Sequence, residues 1–137
     1  MFEITDAPEA AADALRQLAG QAGTPCDSCA TLDGSGWQAV PAGLDRARLQ
    51  ALGRLPAPDS ADGTGQDATL DEWHPQRTRY WSPEAPVALG WFPCNRAGVW
   101  RCTRCAAVLL RYTEYGGYYE EERVRRVRAD LVAAPAH

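Results

Sequence analysis

Four of the five cysteines fall into two Cys-x-x-Cys turns, Cys26-Asp-Ser-Cys29 and Cys102-Thr-Arg-Cys105. One such turn delivers two thiolates from a tight loop and fills half of a tetrahedral shell, so two of them complete a four-thiolate zinc site. The pattern predicts one structural Zn2+ held by Cys26, Cys29, Cys102 and Cys105. A closed shell keeps no position for water, which argues against zinc catalysis. The alternatives are one pair acting as a redox dithiol, two unrelated turns, or cysteines that share no task. A thioredoxin-like pair sits at a strand-to-helix junction, and neither pair clearly has that context.

Cys94, in FPCNR, reads as a buried and inert thiol, ahead of a substitute ligand or a nucleophile. His74, in DEWHP, reads as a packed or surface imidazole before it reads as a base or ligand. With Glu72 and Glu114 these two residues are the sequence's candidate acids, bases and nucleophile. No phosphate loop, nucleophile elbow or open metal triad accompanies them, and the expectation is a protein that is not an enzyme.

These residues need elements to hold them. At 137 residues, with 45% hydrophobic and 23% charged content, the chain fits one domain, 1–137, with a core of its own. Ala7 to Ala19 has helical character, with Asp6 as N-cap, Gly20 beyond the end, and Ala11, Ala14, Leu15 and Leu18 as the buried stripe. The first Cys pair lies among turn formers, TPCDSC and then DGSG, which suits a tight knuckle. Trp37 to Val40 reads as a short strand. A second helix is predicted from Leu44 to Leu52, stopped by Gly53. PAPDSADGTGQDAT, 56–69, has no large apolar residue and reads as an exposed loop.

Beyond that loop, 10 of the 12 aromatic residues fall between Trp73 and Tyr119, so much of the core must come from there. Val87 to Phe92 reads as a buried strand, and Gly98 to Arg101 leads into the second Cys pair. Two readings compete for the segment that follows. In one, Val108–Tyr115 and Tyr118–Val127 form a hairpin about Gly116-Gly117, with Arg111 opposite Glu122, Tyr112 opposite Glu121 and Leu109 opposite Val124. In the other, Glu120–Val132 is a helix with its acids first. The cross-strand chemistry favours the hairpin. The predicted fold class is α+β: one or two N-terminal helices, a C-terminal β-hairpin and a zinc-ribbon-like four-cysteine site. The 72 residues between Cys29 and Cys102 are many more than a compact ribbon has.

TLDEWHP (69–75), YWSPEAPVALGWFPCNR (80–96), the Cys-x-x-Cys at 102–105 and LRYTEYGGYYEEERVR (110–125) together resemble a group of small bacterial proteins of unassigned function. The resemblance covers the C-terminal half and implies a bacterial origin. It supplies no activity, cofactor or catalytic residue.

The N-terminus, MFEITDAPEA, lacks the basic and apolar regions of a secretory signal, and no apolar stretch is long enough to span a bilayer. The expected compartment is therefore the cytoplasm, where thiols stay reduced and no membrane is engaged. Residues 1–95 carry 13 acids against 6 Arg, and residues 96–137 carry 5 acids against 8 Arg, with Lys absent throughout. The expected function is zinc-stabilised binding of another protein, with Arg111, Tyr112, Tyr115, Tyr118 and Tyr119 as the contact surface. A toxin-neutralising immunity protein, laying its acidic half over a basic site, is the subtype suggested by size and charge. The alternative partner is nucleic acid, met by Arg101, Arg104, Arg111, Arg123, Arg125, Arg126 and Arg128 interleaved with tyrosines. Against it stand the net charge of -4 and the acids of the same hairpin.

Overall fold

The computed structural model describes residues 8–32, 34–57, 69–116 and 118–135. The Asp6 cap, Gly117 and most of the predicted loop at 56–69 lie outside them. Helix α1 spans Pro8–Gly20. Ala11, Ala12 and Leu15 are buried on it, while Ala14 and Leu18 are half-buried. Arg16 anchors the helix by donating to the Val132 carbonyl at 2.9 Å.

Strands β1 (Gln38–Ala39), β2 (Leu49–Arg54), β4 (Gly98–Cys102), β5 (Val108–Gly116) and β6 (Tyr119–Arg126) form one antiparallel sheet in the order β1-β6-β5-β4-β2. A separate parallel pair joins β3 (Val87–Ala88) to β7 (Val132–Ala133). The molecule is thus α+β, with the C-terminal segment a hairpin.

The central strand is buried on both faces at its first half. Val108, Leu110 and Tyr112 pack with α1, Val87, Leu89, Val99 and Val127. Leu109, between them in sequence, points the other way into a second core with Leu44, Leu49, Val124 and the cysteines, as the period-2 alternation of a strand requires.

Three expectations are corrected. Leu44 to Leu52 is not a helix: Asp45 caps a single 3-10 turn, Arg46–Arg48, by accepting from the Ala47 N–H at 3.0 Å, and the chain then runs as β2. Leu44 and Leu49 both enter the second core, and residues five apart do not share a helix face. Gly53, assigned as a helix stop, sits at a bulge in β2 with φ 151°, a conformation that suits glycine. The buried strand at Val87–Phe92 is reduced to Val87–Ala88, because Gly90 turns the chain at φ 85°.

The hairpin register is displaced by two residues from the expected one. Gly116 pairs with Tyr119, which sets Arg111 opposite Val124, Tyr112 opposite Arg123 and Leu109 opposite Arg126. A two-residue shift leaves every side chain on its expected face. Charge matching is then reached diagonally: Arg111 Nε donates to Glu122 at 2.6 Å, and Arg123 bonds Glu114 and Glu121, each at 2.9 Å. Glu114 and Glu121 are direct cross-strand neighbours, and the guanidinium between them offsets their repulsion.

Candidate metal centre

The fold brings the two Cys pairs together. The sulfurs of Cys26, Cys29, Cys102 and Cys105 all lie within 4.8 Å of one another, and Cys26 Sγ is 3.7 Å from Cys102 Sγ. All are free thiols. Four sulfurs at about 2.3 Å from one tetrahedral ion are separated by about 3.8 Å, so the cluster has the donor set and the spacing of a metal site. Cys29, Cys102 and Cys105 are buried and Cys26 is half-exposed.

Each pair is shaped locally. In the first, the Ala30 N–H donates to the Cys26 carbonyl at 2.8 Å and Cys29–Thr31 forms a 3-10 turn. Ser28, buried inside this turn, accepts from the Asp45 N–H at 2.7 Å and ties the knuckle to the next segment. In the second, Cys102 ends β4, its N–H donates to the Ala107 carbonyl at 2.9 Å, and the Ala106 N–H returns to the Cys102 carbonyl at 3.0 Å. Closing this turn requires φ 61° at Ala106. That is left-handed backbone, which costs an L residue roughly 1–2 kcal/mol.

Arg48 joins the knuckles. Its guanidinium lies 3.8 Å from Cys26 Sγ and 2.7 Å from Asp27 Oδ1, and its carbonyl accepts from the Thr103 N–H at 2.8 Å. The Gly23 N–H donates to the Cys105 carbonyl at 2.9 Å, and Arg126 donates to the Cys29 carbonyl at 2.9 Å. Four thiolates around a divalent cation carry net negative charge, which these two guanidiniums and the Arg104 N–H, 3.4 Å from Cys102 Sγ, partly balance. The sequence did not assign Arg48 or Arg126 to the cysteine site, since nothing in their spacing relates them to the cysteines.

The thiols are electrically unequal. The Cys29 N–H, directed at its sulfur, draws the Cys26 thiol down to about 6 against partial burial, with the neighbouring thiols helping. Burial first, and then Cys105 and Cys102, drive the Cys29 thiol upward. Metal-free, the cluster cannot place four negative charges side by side, and a cation removes that conflict.

The other sequence candidates gather elsewhere. His74 Nε2 is 2.7 Å from Glu72 Oε1, and His74 and Cys94 line one small cavity together with Trp37, Trp73, Tyr80, Phe92 and Arg125. Burial pushes the Cys94 thiol up to about 11, opposed by the charge of Arg125. Glu114 is not part of this group; it belongs to the Arg123 pair on the hairpin. Of the expected contact surface, Tyr112 is only 6% exposed and packs edge-on against Trp37 at 4.9 Å, with its hydroxyl bonded to that of Tyr80. Burial pushes the Tyr112 hydroxyl up to about 12. It is a core residue, unavailable to a partner. Arg111 is engaged by Glu122 and lies 4.5 Å over the Trp100 ring. Tyr115, Tyr118 and Tyr119 stand 72%, 104% and 53% exposed.

Comparison with known proteins finds no matching family model, no matching curated protein and no matching solved structure. Among the described residues, no helix is long and apolar enough to cross a membrane.

Proposed function

We propose that the chain is a zinc-stabilised interaction module that binds another protein through the tip of its β5–β6 hairpin. Zinc suits an all-thiolate tetrahedral set, and a closed shell gives it a structural role. The observation that carries the binding reading is the exposure of Tyr115, Tyr118 and Tyr119 on one hairpin tip, because tyrosines freed of core duties are frequent interface anchors. A partner with a basic surface, as in toxin neutralisation by a bacterial immunity protein, suits the acid that flanks them at Glu120.

The rival nucleic-acid reading loses most of its arginines to internal bonds. Arg111 and Arg123 are held by hairpin carboxylates, Arg125 by the Ala85 and Pro86 carbonyls, Arg126 by Cys29 and Arg128 by Asp130. That leaves Arg101 and Arg104 without an ion pair among the described residues, too few for a phosphate track.

Photo-crosslinking from position 118 in the native host tests the reading. The expected result is one protein adduct that disappears in the Tyr115→Ala/Tyr119→Ala variant, which keeps its metal and its circular dichroism. A nuclease-sensitive adduct that fades with rising salt would assign the surface to nucleic acid instead.

A further inference from the structure

Arg125 is fully buried on β6, 0% exposed. Its guanidinium donates to the Ala85 carbonyl at 2.8 Å and the Pro86 carbonyl at 3.3 Å, while Nε has no hydrogen-bond partner among the described residues. No carboxylate among the described residues bonds it. A buried donor left in this state is costly, and a buried charge more so.

His74 lines the same cavity. Its Nε2 faces the Glu72 carboxylate at 2.7 Å. A carboxylate accepts only, so Nε2 carries a proton, and in the Nε2–H tautomer Nδ1 is an acceptor. Nδ1 is buried and has no partner among the described residues. One orphaned donor and one orphaned acceptor thus belong to two residues that wall a single cavity. That cavity is about 10 Å³, close to the smallest space that admits one water molecule.

We propose that this cavity binds one water molecule, which accepts from Arg125 Nε–H and donates to His74 Nδ1. Its second proton points to Cys94 Sγ, a weak acceptor on the same wall. The site satisfies both buried groups at once, and it fastens the Glu72–His74 segment to β6 through a solvent molecule. The cavity's size excludes larger ligands.

The test is nitrogen and proton NMR on the full chain with its metal bound. The expected spectrum shows His74 protonated at Nε2 and bare at Nδ1, and an Arg125 Hε cross-peak to a slowly exchanging water. In His74→Phe that cross-peak should be lost. A His74 ring protonated at Nδ1, or an Arg125 Hε with no water cross-peak in the unmodified protein, overturns the proposal. The measurement on the unmodified protein decides the matter even where the variant does not fold.

Discussion

Cys102 and Cys105 occupy the turn between two paired strands, whereas Cys26 and Cys29 occupy a loop that belongs to no strand. The β4–β5 ladder runs up to the second knuckle and holds it open-handed, with Gly98 to Arg101 already paired to Arg111 to Val108. The first knuckle reaches the same place through a 3-10 turn, the Ser28–Asp45 bond and the contacts of Arg48. One half of the metal site is therefore made by the sheet. The other half is recruited to it, and the two should respond differently when the ion is taken away.

Chelation gives the largest expected effect. Amide hydrogen exchange should rise sharply across 26–32 while the β4–β5 amides stay protected, and equal loss in both places would break the distinction. Cys102→Ser should abolish stoichiometric zinc and cost at least about 3 kcal/mol in denaturant titrations, since a structural ion contributes directly to folding. Elemental analysis of the unmodified protein should return one zinc per chain. If the metal-free protein is as stable as the loaded one, the structural role fails.

Ser28→Ala is a smaller and more local test. It leaves the Asp45 N–H without its 2.7 Å partner, at an expected cost of about 1–2 kcal/mol, and should weaken zinc affinity through the first knuckle. An unchanged affinity would mean that the Ser28 tether is dispensable. Smallest of all, Ala106→Gly should stabilise by about 0.5 kcal/mol, the relief of left-handed strain less the added freedom of the unfolded chain. Thermal unfolding reads it, and a lower midpoint would show that the turn carries no strain.

The second knuckle and its hairpin were legible because their signals are local: turn spacing, alternation and a Gly-Gly dipeptide all act within a few residues. The register was missed by two because diagonal and direct cross-strand pairs satisfy the same charges, so Arg111 finds Glu122 in either arrangement. The segment at 44–52 was misread because a short run of Leu, Ala and Arg fits a helix face as well as an edge strand, and only pairing with β4 decides between them. Arg125 stands in the sequence only as one of the arginines that could meet nucleic acid. Its burial depends on the Ala85 and Pro86 carbonyls, 40 and 39 residues away, and no local pattern announces such a meeting.

The order β1-β6-β5-β4-β2 has a consequence for assembly. The three middle strands follow one another in sequence and need only short closures, so they can form early. Both outer strands come from the first 54 residues and flank that meander on either side. The metal draws on both groups, so it can be captured tetrahedrally only after the early-synthesised part has returned to clasp the later one. The ion thereby fastens the chain's first third onto the meander made by its last third.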